Sequence, residues 1–326
     1  MPILLTEADV KALVHMDDFI ACMEAALSEF SAHEVTQPLR TVLQVGAQKS
    51  FFGVMPASMP SRGALGTKLV TVYASNLERG LPSHLATIVL LDAETGGLQA
   101  LVDGRYITEA RTAAVSAVSV KHLAKTDAGV LALIGSGVQA RSHLEAIDRV
   151  RSLSEVRVWS RSSGNRDAFV REMEPHTSAD LHAASSAEEA VRGADIVVLV
   201  TAAREPVVRS EWIGAGAHIC AVGACRPDQR EMDAALVARS RLYVDSREGA
   251  LAEAGDIVLA IRDGAIDASH IAGELGELVA ATSAQRTNDE EVTIFKSLGM
   301  AVEDVAAAHL AYERARMKGV GVEFRL

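Results

Sequence analysis

The sequence contains little cysteine and no long apolar run, and each of these absences excludes a class of protein. The three cysteines, Cys22, Cys220 and Cys225, stand in no spacing typical of a metal site or a disulfide framework. We therefore expect no bound metal and a reduced, cytoplasmic setting. No stretch reaches the roughly 18 consecutive apolar residues of a membrane span, and no N-terminal apolar run resembles a signal peptide. We expect no membrane partner.

A basic surface is also missing. The formal net charge is −11 at pH 7, which gives no electrostatic footprint for nucleic acid. An anionic substrate remains compatible with this balance, because a local cluster of arginine and lysine can override the net charge. The chain has 326 residues, of which 49% are hydrophobic, and this is enough for two domains and a large core.

The most informative stretch is a glycine-rich turn between a buried strand and a helix. Five apolar residues, 130–134, run without a polar break, as in a strand buried on both faces of a parallel sheet. A G-x-G-x-x-A turn follows, and residues 141–151 then have a helical pattern. The candidate cofactor-binding residues of this turn are Gly135, Ser136, Gly137, Val138, Gln139 and Ala140.

Three positions of this turn have separate physical reasons. Gly135 permits the turn, Gly137 lets the backbone approach a pyrophosphate, and Ala140 keeps the helix close to the strand. The helix N-terminus offers free N–H groups and a positive dipole end to the phosphates. The turn therefore predicts a dinucleotide site, with an ordinary glycine-rich strand-to-helix connection as the alternative.

The residues after the second strand of this domain bear on the choice of nicotinamide cofactor. Proteins that bind NAD usually place an acidic residue there to hold the ribose 2′-hydroxyl. Here residues 156–159 form the predicted strand, and Ser160, Arg161 and Ser162 follow it without an acid. A guanidinium with neighbouring hydroxyls suits a 2′-phosphate. We predict NADP(H) as the preferred cofactor, with NAD(H) possible and a solvated loop as the alternative interpretation.

Strand and helix patterns alternate through the second half of the chain, which predicts a Rossmann-type doubly wound parallel sheet. Its ligand crevice should lie at the carboxyl ends of the strands, where Thr201, Gly223 and Cys225 stand. The first part of the chain has two helical patterns followed by strand-like runs, at residues 39–45, 50–55, 66–73, 85–92 and 98–103. A last amphipathic helix, residues 299–317, is expected to return to this first part.

This organisation predicts an α/β protein in which one domain is discontinuous. Residues 1–118 and 302–326 form an α+β domain, where we expect the substrate to bind. Residues 119–301 form the dinucleotide-binding domain.

Three cations of the first domain lie in apolar surroundings: Arg40, Lys68 and Arg111. A charge inside an apolar strand or an alanine-rich helix must either reach solvent or meet a partner. Taken singly, each side chain is more often a surface cation whose stem alone is buried. Together the three would make a carboxylate receptor, with arginine acting as a bidentate fork.

Eight motifs along the chain then point to a family. They are residues 37–42 (QPLRTV), 53–57 (GVMPA), 67–71 (TKLVT), 82–84 (PSH), 111–116 (RTAAVS), 135–140 (GSGVQA), 222–228 (VGACRPD) and 295–304 (FKSLGMAVED). Together they resemble the ornithine cyclodeaminase/mu-crystallin family over nearly the whole chain. That family includes ornithine cyclodeaminases, an archaeal type of alanine dehydrogenase, and ketimine reductases.

The resemblance implies a homodimer whose discontinuous domain both binds the substrate and pairs with its mate. It implies that Arg40, Lys68 and Arg111 surround the substrate carboxylate, with Lys68 and Arg111 in catalytic roles and Ser83 also at the substrate. It further implies that Thr112 lies by the cofactor phosphates and Ser297 near the nicotinamide.

At one position the sequence departs from the cyclodeaminase pattern, and this position bears on which activity of the family to expect. The resemblance aligns Cys225 with an aspartate that cyclodeaminases use to handle amine protons, and a thiol is a poor replacement for that base. We therefore expect NAD(P)H-dependent reduction of the C=N bond of an α-imino acid to the L-amino acid. The substrate would be a cyclic ketimine, such as Δ1-pyrroline-2-carboxylate or Δ1-piperideine-2-carboxylate, or an open-chain imino acid. The alternatives are an ornithine cyclodeaminase, an alanine dehydrogenase-like enzyme, and a non-catalytic protein that only binds nucleotide.

Overall fold

The computed structural model describes residues 1–46, 50–283 and 286–325. Within these ranges the chain divides into a terminal unit, Met1–Arg111 with Met300–Leu326, and a central unit, Thr112–Gly299. The expectation that residues 1–118 with 302–326 bind substrate, while residues 119–301 bind the dinucleotide, is a functional division and stays a prediction.

The secondary structure of the described residues alternates strongly in the central unit and is strand-rich in the terminal unit. The strands are β1 (Ile3–Leu5), β2 (Thr41–Val45), β3 (Ser50–Met59), β4 (Ala64–Val72), β5 (His84–Asp92), β6 (Leu98–Asp103), β7 (Val130–Ile134), β8 (Glu155–Trp159), β9 (Asp180–Ala183), β10 (Ile196–Leu199), β11 (His218–Ala221), β12 (Arg241–Val244), β13 (Ile271–Glu274), β14 (Thr293–Lys296) and β15 (Val322–Glu323). The helices are α1 (Glu7–Leu13), α2 (Met16–Ser31), α3 (Gly104–Leu123), α4 (Val138–Asp148), α5 (Ser163–Met173), α6 (Ala187–Val191), α7 (Ala234–Arg239), α8 (Arg247–Glu253), α9 (Gly255–Arg262), α10 (Leu275–Val279) and α11 (Ala301–Lys318).

The terminal unit contains a seven-stranded sheet in the order β15-β1-β6-β5-β4-β3-β2. Its strand pairs are antiparallel except for β1 with β6. From Gly53 to Met59 the residues of β3 alternate between buried and partly exposed, as expected when one face packs on a core. Helix α11 packs on α2, β3 and β4, so the predicted return of the last helix to the first part of the chain is found.

Close packing of α11 on this sheet depends on Gly66 in β4. A Cβ added at Gly66 would lie 2.6 Å from the backbone oxygen of Val89 and 3.5 Å from a methyl group of Val305. Any side chain there would push β4 away from β5 and from α11, because protein interiors are close-packed. This contact brings the first turn of α11 against the sheet, where the candidate site of this unit lies.

The central unit confirms the predicted Rossmann-type sheet. Its eight strands run in the order β13-β12-β14-β11-β10-β7-β8-β9, and every pair between neighbours is parallel. The strand order reverses between β7 and β10, so the ligand crevice is expected at their carboxyl ends. Apolar clusters cover both faces of the sheet, as a doubly wound fold requires.

Several short strands of the structure are not predicted by the sequence pattern. The clearest is β14, which pairs with both β11 and β12 inside the sheet although its four residues include Lys296. A strand with a lysine resembles an exposed edge, yet all four residues of β14 are buried. The expected boundaries also shift: β2 begins at Thr41 instead of residue 39, and β3 extends to Met59 instead of residue 55.

Candidate active site

A cavity of about 590 Å³ lies at the carboxyl ends of β7, β8 and β10 in the central unit. This is the place where open α/β sheets bind their ligands. Six of the predicted cofactor-binding residues line the cavity: Gly135, Ser136, Ser160, Arg161, Ser162 and Thr201. Trp159, Asn165 and Glu205 also line it, although the sequence analysis did not single them out.

The glycines of the turn fit a dinucleotide. Gly135 has a φ of 126°, and a Cβ there would lie 2.8 Å from the backbone oxygen of Val200, so a side chain is excluded by both conformation and space. A Cβ at Gly137 would meet no atom within 4 Å, which leaves open space in front of the backbone. Gly137 is also the N-cap of α4 and supplies no side-chain cap, so the first N–H groups of α4 remain for a phosphate.

The loop after β8 presents hydroxyl groups and one guanidinium. Ser136 Oγ donates a hydrogen bond to Ser160 Oγ at 2.9 Å, which joins this loop to the glycine-rich turn. Arg166 Nη1 donates to the backbone oxygen of Ser160 at 2.6 Å and so supports the loop from behind. Arg161 is exposed and forms no hydrogen bond or ion pair with a described residue. Its guanidinium is therefore available to a phosphate of a ligand.

The other predicted cofactor residues lie outside the lining of this cavity. They are Thr112, Gly137, Val138, Gln139, Ala140, Gly223, Cys225 and Ser297. Cys225 is half-buried, and its Sγ donates to the backbone oxygen of Val222 at 3.0 Å. Ser297 is buried, and its Oγ makes no hydrogen bond to a described residue. The roles given to Thr112, Cys225 and Ser297 stay predictions.

The terminal unit holds a buried ion cluster made by β4, α3 and α11. Lys68 Nζ forms an ion pair with Asp304 Oδ2. Arg111 donates from Nε to Asp304 Oδ1 at 3.0 Å and from Nη1 to Glu303 Oε2 at 2.5 Å. Lys68 and Arg111 are only 2% and 4% exposed, and both carboxylates are fully buried. Two of the three predicted cations therefore meet, and two carboxylates balance them.

Burial and the neighbouring charges set the proton affinities in this cluster. Burial, with Arg111 adding to it, lowers the pKa of Lys68 to about 8 against the attraction of Asp304. Burial opposes ionisation of Asp304, but Arg111 and Lys68 outweigh it and hold its pKa below the usual value. Burial, Lys68 and Arg111 together lower the pKa of His84, the first residue of β5, to about 4. At neutral pH these shifts keep Lys68 mostly protonated, Asp304 ionised and the imidazole of His84 neutral.

The remaining predicted substrate residues are Arg40 and Ser83. Arg40 is half-buried and directly precedes β2, and Ser83 is half-buried and directly precedes His84. Their contacts with a substrate stay a prediction. The sequence analysis missed Glu303 and Asp304 as site residues, although two acids at the start of an alanine-rich helix are a signal, because buried acids require partners.

No group of three histidine, cysteine, aspartate or glutamate side chains among the described residues could hold a metal ion. None of the described helices is both long and apolar enough to cross a membrane.

Comparison with known proteins gives independent evidence of the family to which the chain belongs. The model of the ornithine cyclodeaminase/mu-crystallin family matches residues 1–319. The ketimine reductase mu-crystallin of Rattus norvegicus is 46% identical over 294 residues, which cover 89% of this chain and 90% of that protein.

Two solved structures are similar over almost their whole length. The Δ1-pyrroline-2-carboxylate reductase of Thermococcus litoralis, solved with NADH and L-proline, superposes with a TM-score of 0.97 at 41% identity, covering 99% of this chain and 100% of that chain. An archaeal alanine dehydrogenase dimer with bound NAD superposes with a TM-score of 0.94 at 33% identity, covering 99% of each chain.

Removing one carboxylate from the buried ion cluster should destabilise the protein. Asp304→Asn removes the carboxylate that lies between Lys68 and Arg111 and leaves two buried cations facing Glu303. Losing one partner of a buried pair costs about 3–5 kcal/mol, so the free energy of unfolding measured in urea should fall by about this amount. Glu313→Gln is the control, because Glu313 lies on the same helix with its side chain 58% exposed and should change stability by less than about 1 kcal/mol. Equal effects of the two substitutions would contradict the cluster as described.

Proposed function

The chain belongs to the ornithine cyclodeaminase/mu-crystallin family, and we propose that it is a member that uses NADPH to reduce cyclic α-imino acids. The protein is an imine reductase: it reduces the C=N bond of an α-imino acid with a nicotinamide cofactor, giving the amino acid. The choice of NADPH, the cyclic substrate and the roles of individual residues are the finer parts of the proposal. The observation that carries the proposed residue roles is the buried cluster of Lys68 and Arg111 with two carboxylates.

The charge of this cluster suits a zwitterionic substrate. Cationic and acidic groups lie side by side in it, and a protonated α-imino acid likewise carries one carboxylate beside one iminium cation. In the proposed complex Arg111 and Lys68 bind the substrate carboxylate, as charge-assisted donors do. The similarity to an enzyme solved with L-proline favours a five-membered ring, because L-proline has the product skeleton of a cyclic imino acid.

The chemical step requires few functional groups from the chain. When bound, the cofactor supplies a hydride, which adds to the electrophilic carbon of the iminium group. The residues of the chain orient the substrate and keep its nitrogen protonated. Lys68 is the proposed proton source at that nitrogen, because an ammonium with a pKa of about 8 is both mostly charged and able to release a proton near neutral pH.

An assay of four candidate reactions tests the function. NADPH consumption with Δ1-pyrroline-2-carboxylate and Δ1-piperideine-2-carboxylate is expected. Ammonia release from ornithine would instead indicate a cyclodeaminase. NADH consumption with pyruvate and ammonia would indicate an alanine dehydrogenase, and cofactor binding without turnover would indicate a binding protein.

Lys68→Met should lower kcat/KM for the imino acid about 30- to 1,000-fold, because one charge-assisted contact in the transition state is lost. Lys11→Met, at a side chain 51% exposed, is the control.

The same assay has a pH dependence with a definite sign. Lys68 acts as the ammonium, so kcat/KM of the native enzyme should fall as the pH rises through about 8, where this group loses its proton. Lys68→Met should remove that alkaline limb from its residual activity. A wild-type profile that stays flat up to pH 9 would exclude Lys68 as the titrating group.

Preference for NADPH depends on Arg161. The loop after β8 combines this exposed guanidinium with Ser160 and Ser162 and contains no acid, which suits a 2′-phosphate. Arg161→Ala should raise KM for NADPH at least about tenfold, since a charge-assisted hydrogen bond contributes about 1.5–3 kcal/mol, and should leave KM for NADH nearly unchanged. Arg171→Ala, on the following helix, is the control. Equal use of both cofactors by the native enzyme, unaltered in Arg161→Ala, would overturn the preference.

A homodimer is proposed from the edge of the terminal sheet. Strand β2 ends the sheet, all five of its residues are exposed, and apolar side chains are prominent among them, with Val42 at 49% and Leu43 at 54% exposure. An exposed apolar edge strand is a surface that proteins normally cover. We expect sedimentation to give the mass of two chains at micromolar concentration. Leu43→Glu should shift it toward one chain, and Met317→Glu, at 77% exposure, should not. A monomeric native protein would refute this assembly.

The cytoplasmic setting also stays a proposal. It rests on the thiols: Cys22, Cys220 and Cys225 are all free, as in proteins of reducing compartments.

A further inference from the structure

One buried carboxylate of the central unit joins two loops at the carboxyl edge of the sheet. Glu231 is fully buried. Its Oε1 accepts hydrogen bonds from Thr201 N at 2.6 Å and Thr201 Oγ1 at 2.7 Å. Its Oε2 accepts from Gly223 N at 2.7 Å and Ala224 N at 3.2 Å. Thr201 lies just beyond β10 and Gly223 just beyond β11, so this one side chain ties together the ends of two neighbouring strands.

The backbone of Glu231 is itself held from two sides. Its N–H donates to Asp256 Oδ1 at 2.8 Å, and its carbonyl oxygen accepts from Val207 N and Val208 N at 2.8 and 3.0 Å. The buried ammonium of Lys296 lies 3.3 Å from Asp256 Oδ2 and offsets part of the negative charge of this group. Because both the backbone and the carboxylate are fixed, Glu231 behaves as a rigid support.

The two loops that Glu231 joins also pack closely against each other. A Cβ at Gly223 would lie 2.0 Å from the backbone oxygen of Thr201, so the two loops are in direct backbone contact. The loop after β10 forms one wall of the dinucleotide cavity, through Thr201, Ala202, Ala203 and Val207. The position of that wall therefore depends on the four hydrogen bonds that Glu231 accepts.

We propose that Glu231 is a positioning residue for the nicotinamide cofactor, because its carboxylate fixes the loop after β10 against the loop after β11. Glu231 does not line the cavity, so its effect is transmitted through Thr201, Gly223 and Ala224. This inference rests on the proposed function, in which the cavity binds NAD(P)H.

A carboxylate is the side chain that these four donors require. Both oxygens of a carboxylate accept hydrogen bonds, whereas a carboxamide has one accepting oxygen and one donating nitrogen. In Glu231→Gln, the amide nitrogen must face either the two donors of Thr201 or the two backbone N–H groups of the other loop. Two hydrogen bonds are then replaced by donors facing donors.

The decisive measurement is direct binding of NADPH and NADH to the purified full-length protein, by titration calorimetry, together with the unfolding midpoint of the cofactor-free protein. Glu231→Gln should raise the Kd of both cofactors about 10- to 100-fold, as expected from loss of two hydrogen bonds. The control Glu248→Gln makes the same chemical change at an exposed position of α8 and should leave Kd unchanged. In steady-state kinetics KM for the cofactor should rise, and KM for the imino acid should stay within about twofold.

A second pair of variants keeps the test decisive if Glu231→Gln does not fold. Thr201→Val removes the hydroxyl that donates to Glu231 Oε1, and Thr201→Ser retains it. The valine variant should bind both cofactors about 3- to 10-fold more weakly than the serine variant.

Three results separate the possible explanations. Unchanged cofactor Kd in a folded Glu231→Gln protein, or equal Kd in the two Thr201 variants, would overturn the positioning role. A lowered unfolding midpoint with native cofactor affinity would also overturn it, since Glu231 would then be only structural. Failure of the native protein to bind either cofactor would refute the proposed function itself.

Discussion

Among the described residues, charged side chains lie buried in both units, and the cost of removing those charges from water constrains the structure around them. In the terminal unit Lys68 and Arg111 meet Glu303 and Asp304, and in the central unit Lys296 meets Asp256 beside Glu231. An unpaired buried ion costs several kcal/mol, so each cation fixes where a carboxylate must be. Apolar residues of similar volume often stabilise a core at least as well, so stability alone does not account for these buried ion pairs.

The two groups use charge in opposite ways. In the proposed function the cations of the terminal unit are the groups offered to a ligand, and the carboxylates keep them oriented. In the central unit the carboxylates hold backbone N–H groups instead. Glu231 binds the loops after β10 and β11, and Asp245 Oδ2 accepts from Leu298 N and Gly299 N at 2.6 and 2.8 Å, which fixes the turn that follows Ser297. Backbone donors at the carboxyl edge of this sheet are thus shared between internal carboxylates and the predicted phosphate site at the start of α4.

Features formed by residues close together in the sequence could be predicted, whereas contacts between residues far apart in the sequence could not. The strand, turn and helix around Gly135 were predictable, because strand burial, glycine conformation and helix start all lie within a short stretch of sequence. The partners of Arg111 were not, because Glu303 and Asp304 lie about two hundred positions away, and the acidic start of an alanine-rich helix does not show which cations it meets. Strand β14 was missed for the same reason: Lys296 looks exposed in the sequence and is buried only because Asp256 meets it. Glu231 falls in an irregular segment with no periodic pattern, so its four hydrogen bonds had no signature before the fold was known.

The pairing of charges also bears on which reaction the family scaffold performs here. Deamination with ring closure needs a base that takes up and returns amine protons, and the resemblance places that base at Cys225. The thiol of Cys225 donates to the carbonyl of Val222 in its own loop. Asp304 is a poor base as well, since Arg111 and Lys68 hold its pKa below the usual value despite burial. Reduction of an iminium carbon makes no such demand, because the carbon is already electrophilic and the chain has only to orient it and keep its nitrogen protonated. A site whose carboxylates are committed to its own cations is therefore suited to hydride addition and unsuited to deamination.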